Sequence, residues 1–158
     1  MAYIYPAPGV TGVEAVLTID IASNGSDTGM DVPALQDITI NNANDIFTWT
    51  QLDEVAKKQI ATTSTNSLGM NLVLEQSTFF GDSGATANTA ANVGIFNLSK
   101  NKTKIGFSLY LGDVDDGTAG KTITGNGYVT GLAPTVSADA PVWVTPITVT
   151  VDGDYTVA

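Results

Sequence analysis

At Gly81-Asp82-Ser83-Gly84 a serine is framed by glycines and preceded by a carboxylate, the local pattern of some serine nucleophiles. A serine hydroxyl attacks only when a neighbouring base takes its proton. The chain has no His, and the nearest Lys in sequence, Lys100, belongs to a different expected element. Ser83 is therefore expected on a surface loop without catalytic work. Asp113, Asp115 and Asp116 could gather oxygen ligands around calcium, but counted from Asp113 the fifth, sixth and twelfth residues are Gly117, Thr118 and Thr124. A calcium-binding EF-hand loop needs an acid, a Gly and a Glu at those places, so a solvated hairpin turn is expected instead. With no Cys and no His, the usual ligands for zinc, copper or haem are missing. No metal, cofactor or catalytic residue is expected.

Two further groups admit more than one reading. Lys100, Lys102 and Lys104 would share one side of an extended segment, where they could meet an acidic partner or protect a sheet edge from unwanted pairing. Trp49 and Trp143, with Tyr128 and the Phe79-Phe80 pair, could form a sugar-stacking platform, but aromatic residues in β-rich domains are usually core, and both Trp are expected there. Gly125-Asn126-Gly127 leads into a strand and lacks the helix N-terminus that lets a Gly-rich turn cradle phosphate; a bulge or kink is expected.

Composition narrows the class further. The 158 residues fit one domain, here expected to span 1–158 with an extended N-terminal arm at about 1–12. Sixteen acids against six bases give a net charge of -10, and every base is Lys. Without Arg there is no planar fork for bidentate recognition of phosphate or bases, and an acidic body repels polyanions. Charged residues are only 14% of the chain, against roughly 25% in ordinary soluble domains, so Thr, Ser, Asn and Gly must supply the polar surface. A subunit whose faces are covered by neighbours needs less charge, which favours an assembly protein. No segment is apolar enough for a membrane span, and residues 1–9 lack the features of a secretory signal. No membrane partner is expected, and three Asn-X-Ser/Thr matches, at Asn24, Asn97 and Asn101, are read as chance.

The elements that position these residues are mainly strands, because β-branched and aromatic residues alternate with polar ones. Strands are expected at about 14–21, around Ile38 and Ile40, at Ile46 to Trp49, and at Ser67 to Gln76. Others fall at about 93–98, 104–111, 121–132, 142–151 and 155–157. Asn41-Asn42-Ala43-Asn44-Asp45 reads as a hairpin tip, and residues 22–35 and 81–92 as two long loops. Leu52, Val55, Ala56 and Ile60 fall at helical spacing, with Thr50 as N-cap, acids in the first turn and Lys57 and Lys58 in the last. The expected architecture is a mainly β sandwich with that one short flanking helix and long loops.

Several stretches resemble the major tail tube proteins of long-tailed bacteriophages. Asp37 to Asn42 through Phe47-Thr48-Trp49 looks like that family's long hairpin, Leu52 to Gln59 like its single helix, and Asn66 to Leu72 like the strand that follows. Gly125 to Leu132, Ala138 to Trp143 and Val149 to Gly153 are similar to its closing strands. The resemblance implies a structural virion protein. Six copies would form a ring whose sheets join into a β-barrel around a channel for DNA, and rings would stack through arms and long loops. It also implies self-association, contact with tape measure, tail terminator and distal tail proteins, assembly in the host cytoplasm, and no specific DNA binding. On this reading Asp37 and Asp45 are candidates to line the channel, while Asn24, Asp27, Asp31, Asp82, Ser83, Lys100, Lys102 and Lys104 are candidates for inter-subunit contacts. A capsid decoration or other β-sandwich virion protein, and a carbohydrate-binding module, are the alternatives.

Overall fold

The computed structural model describes residues 16–32, 35–52, 55–82, 84, 86–111, 120–139 and 142–158. The expected N-terminal arm, Ser83 and the acidic turn at 113–117 lie outside them. Eight strands form one antiparallel sheet: β1 (Val16–Ile21), β2 (Met30–Asp31), β3 (Leu35–Trp49), β4 (Lys58–Val73), β5 (Ile105–Leu111), β6 (Lys121–Leu132), β7 (Val144–Val151) and β8 (Thr156–Val157). Their order across the sheet is β2-β1-β5-β6-β7-β4-β3, with β8 also on β6. Two helices, α1 (Gln76–Phe80) and α2 (Ala90–Lys100), join β4 to β5.

Alternation decides which side of the sheet is dry. Leu17, Ile19 and Ile21 of β1, Leu68, Met70 and Leu72 of β4, Ile105, Phe107 and Leu109 of β5, and Ile147 and Val149 of β7 are all buried. Phe79 from α1 and Ile95 and Leu98 from α2 join the same cluster. Each such side chain contributes roughly 1.5–3 kcal/mol of burial. The two helices meet through glycine. Gly81 and Gly94 have φ of 77° and 76°, and a Cβ on Gly94 would stand 2.3 Å from the Gly81 nitrogen, closer than any side chain permits.

The mainly β reading agrees with this architecture, as do the strands at 16–21, 105–111, 121–132 and 144–151. Four local expectations are corrected. Residues 50–60 do not form the expected helix: Leu52 is in a turn, Val55 and Ala56 are in bends, and Lys58 to Ile60 are already β4. The Asn41 to Asp45 segment is not a tip but the middle of the 15-residue β3, so the hairpin closes at 50–57. It stays extended because Asn41, Asn42, Ala43 and Asn44 each pair across the ladder with Ser67, Asn66, Thr65 and Ser64, where hydroxyl and amide side chains offset the poor strand preference of Asn. The strand expected at 93–98 gives way to α2, which starts at Ala90, near the end of the expected 81–92 loop, and kinks at Gly94. Residues 22–35 are also not all loop, because β2 lies among them.

Smaller departures concern the aromatic and glycine residues. Trp49 and Trp143 are not core residues: they are 36% and 50% exposed. Gly125-Asn126-Gly127 is regular strand in register with Phe107, Gly106 and Ile105; the irregularity of β6 falls later, between Val129 and Gly131. A Cβ on Gly125 would stand 2.8 Å from the edge of the Phe107 ring, so the ring would have to shift to admit one.

Candidate channel face and assembly surfaces

The side of the sheet turned away from the core is a surface of hydroxyls and amides. Thr124, Asn126, Tyr128 and Thr130 of β6 alternate with its buried residues, as do Thr148 and Thr150 of β7 and Ser67 and Asn71 of β4. Neighbouring strands tie these groups laterally. The Thr130 and Thr150 hydroxyls are 2.8 Å apart, those of Thr124 and Thr156 are 2.7 Å apart, and Asn41 donates to Ser67 Oγ at 3.5 Å. Such side chains satisfy one another and leave few donors with a full charge. None of these positions is Lys. Asp37 adds a carboxylate at the β3 edge, where both oxygens accept from Asn71 Nδ2, at 3.1 and 2.9 Å.

Asp45 lies farther out on β3, at a β-bulge. Thr62 and Thr63 of β4 both face it, Thr62 donating to its carbonyl at 3.2 Å and Thr63 to its carboxylate at 3.0 Å. Asp37 and Asp45 thus share one strand but not one cluster.

Among the candidate contact residues, Asp27 is engaged inside the chain. Its Oδ2 accepts from the backbone N–H of Ile21 at 2.9 Å and of Ala90 at 2.8 Å, and its Oδ1 from Gly29 at 3.1 Å. A carboxylate from the loop after β1 therefore caps α2, whose own N-cap, Thr89, makes no side-chain bond. Asn24 reinforces the clasp by donating to the Asn88 carbonyl at 2.6 Å. The two long segments that the sequence treats as separate are consequently one composite surface. Asp31 accepts from Thr18 Oγ1 on the β2 edge. Asp82 is exposed and accepts from Gly84 N–H.

The three lysines do not share an extended segment. Lys100 ends α2, Lys102 turns the chain with φ of 54°, and Lys104 precedes β5. Lys104 Nζ lies 2.7 Å from Asp152 Oδ2, and this hydrogen-bonded partner holds its pKa above the usual lysine value. At the start of α1, hydrogen bonds from Ser77 and Thr78 hold the Glu75 carboxyl below its ordinary value. Among the described residues, no group of three or more His, Cys, Asp or Glu could hold a metal ion, and no helix is long and apolar enough to cross a membrane.

Sequence reasoning missed the apolar poles of the β3–β4 ladder. Beyond the core, residues 41–49 and 59–65 are exposed. Phe47 stacks on Trp49 with ring centroids 5.9 Å apart, and register places Ile60 opposite Phe47 and Lys58 opposite Trp49, so these side chains share one face. At the other end of the ladder, Val73 pairs with Val144 and Leu74 N–H donates to the Trp143 carbonyl. Val136, Val142 and Trp143 are exposed there. The signal was present in the sequence, since apolar residues flank both turns, but it reads equally well as core.

No family model and no curated relative matches the chain. Solved structures do. The chain is similar to a subunit in the tail of an empty gene transfer agent particle with C6 symmetry, at 11% identity over 90% of this chain and 95% of that one, with a TM-score of 0.62. It is similar to the SPP1 tail tube at 12% identity over 94% and 78%, with a TM-score of 0.66. A chain of the anti-feeding prophage baseplate gives 11% identity over 96% of each, with a TM-score of 0.64. The chain has a tail-tube fold. At these identities the tail-tube likeness is one of backbone course, so residue roles must come from this chain's own surface.

Proposed function

We propose that the chain is the structural subunit of a phage-type tail tube: a single domain, with an N-terminal arm, that closes laterally into rings and stacks along the strand direction. The role is to enclose a passage for DNA rather than to catalyse a reaction. The observation that carries this reading is the hydroxyl and amide face of the sheet, from Asp37 across Asn71 and Thr150 to Thr130, on a fold shared with tail tubes. Turned inward, it would offer the phosphate backbone little free positive charge, because Lys104, which lies beside Tyr128, is already paired with Asp152. Each Lys or Arg that touched phosphate would release counterions and hold the DNA in place. A neutral face with an occasional carboxylate lets it move.

Lateral closure follows from the free edges. Among the described residues, β3 pairs on one side only, with β4, and β2 covers β1 through only two pairs. Joining the β3 edge of one copy to the β1–β2 edge of the next removes both from solvent. Further partners would be the proteins that start, measure and terminate such a tube, and the place of action would be the virion.

Electron microscopy of the purified chain tests the assembly, with six-fold rings or tubes expected and only compact monomers counting against it. The passage is tested separately by a Thr148→Lys/Thr150→Lys variant. Its tubes should form normally but retain a short duplex at low salt and release it as salt rises. Wild-type tubes should retain none, and equal retention by both would show that this face does not line the passage.

A further inference from the structure

We infer that Asn24 is a self-modification site, where attack by the Gly25 backbone nitrogen removes the side-chain amide and so loosens the clasp on α2 as the protein ages. The inference does not depend on the tube reading. Asn-Gly occurs twice in the chain, at Asn24-Gly25 and at Asn126-Gly127. In such a pair the nitrogen of the second residue can attack the side-chain carbonyl carbon of the first, because glycine bends freely and has no Cβ to shield that nitrogen. A bond forms between this nitrogen and Cγ, the bond from Cγ to Nδ2 breaks, and ammonia leaves with the proton of the attacking nitrogen. Water then opens the five-membered imide at either carbonyl, giving aspartate or its β-linked isomer. The reaction needs no oxidant and no reactant besides water.

The fold separates the two pairs. Asn24 is half-buried in the loop after β1, and its Oδ1 accepts from the Ser26 N–H at 3.1 Å while its carbonyl accepts from the Asp27 N–H at 3.0 Å. The side chain is thus folded back over the Gly25 peptide, which brings Cγ towards the Gly25 nitrogen, and the Ser26 N–H polarises the carbonyl under attack. Gly25 is exposed, with open space where a Cβ would stand, so water can reach the imide. Asn126-Gly127 lies inside β6 instead. Gly127 pairs with Ile105 on one side and Val151 on the other, and the Asp152 N–H holds the Asn126 carbonyl at 2.8 Å. Extended backbone keeps the Gly127 nitrogen away from the side-chain carbon, so ring closure there must wait for the ladder to open.

The consequence falls on the clasp. Asn24 Nδ2 donates to the Asn88 carbonyl at 2.6 Å. Once ammonia has left, a carboxylate oxygen faces that carbonyl, acceptor against acceptor. The β-linked isomer also adds a carbon to the backbone just before Asp27, whose Oδ2 caps α2 at Ala90.

The test holds the full-length chain in mildly alkaline buffer, with and without denaturant, and follows each Asn-Gly pair by peptide mass spectrometry. An isoaspartate-specific methyltransferase marks the β-linked isomer. In the native chain Asn24 should convert at least about tenfold faster than Asn126, because opening the ladder costs free energy. In denaturant the two rates should converge, since the open chain presents the same pair twice. Gly25→Ala fits the open space and should slow conversion at Asn24 without moving the melting curve. Asn24→Asp copies one product and should speed hydrogen exchange at the Ala90 amide. Native rates that differ by less than about tenfold, or an Asn24 that stays intact in the native chain while the denatured chain reacts, would overturn the site. Unchanged Ala90 exchange in Asn24→Asp would overturn its link to the clasp.

Discussion

The two halves of the β3–β4 ladder have the same hydrogen-bond pattern and opposite surroundings. In the inner half, Leu68, Met70 and Leu72 are between 1% and 3% exposed under the helices and neighbouring strands. In the outer half, Phe47 and Ile46 are 59% and 60% exposed among the described residues. Backbone pairing therefore does not explain why residues 41–49 and 58–66 carry large apolar side chains, since a solvated ribbon needs none. The inner half belongs to the core of the subunit, and on the tube reading proposed above the outer half is left for contact with neighbouring subunits.

The comparison breaks most visibly if one kind of substitution is made in each half. Leu72→Ala should cost the subunit about 2–5 kcal/mol of stability, because it leaves a cavity in a packed core. Phe47→Ala should change the denaturation midpoint of the subunit little yet abolish long tubes. Chemical denaturation and electron microscopy of the same two proteins check both. A Phe47→Ala subunit as unstable as Leu72→Ala would mean that the outer hairpin is held by its own chain.

A smaller effect is expected at the helix crossing. Gly94→Ala should destabilise by more than about 1 kcal/mol, since both a positive φ and the nearby Gly81 backbone oppose a Cβ. Thermal melting measures it, and a neutral result would mean that α2 can straighten. Asp27→Ala should cost about 1–3 kcal/mol by leaving the α2 cap and the N–H groups of Ile21 and Gly29 without their carboxylate. Asp27→Asn, which keeps one acceptor oxygen, should cost less. Unchanged protection of the Ala90 amide in hydrogen exchange would contradict the clasp.

These helix positions also show where the sequence was legible and where it was not. β1, β5, β6 and β7 could be read because strict alternation reports a sheet with one dry face. α2 could not, because Gly94 interrupts it with a non-helical turn, so Val93, Ile95, Phe96 and Leu98 no longer repeat at helical spacing. Its cap comes from Asp27, 63 residues earlier, a distance that no local pattern reports. Residues 50–60 show the reverse error: apolar spacing, caps and end charges all suit a helix, but the ladder on either side claims Trp49 and Lys58 and leaves too few residues between. Of the candidate channel residues, Asp37 is on the polar face as expected for an acid on an alternating strand. The larger hydroxyl surface was hidden because it is assembled from β4, β6 and β7, which are neighbours only after folding.

The smallest expected effect is a pH dependence at α1. Glu75 has a folded-state pKa below its ordinary 4.5, so its contribution is present above that value and is lost as pH falls through the lowered one. The difference in melting temperature between wild type and Glu75→Gln should be constant near neutrality and shrink as pH drops below 4.5. A gap that widened in acid would reverse the sign.

The central claim, a tube subunit with its hydroxyl face inward and its distal hairpin covered by a neighbouring subunit, is tested most directly by a helical reconstruction of tubes assembled from the purified chain. The account predicts six-fold rings with Thr130, Thr148 and Thr150 facing the lumen and α1 and α2 outside. It also predicts Phe47 and Trp49 buried against a neighbouring subunit. A reconstruction with those threonines on the outer surface, or with the distal hairpins free in solvent, would contradict it.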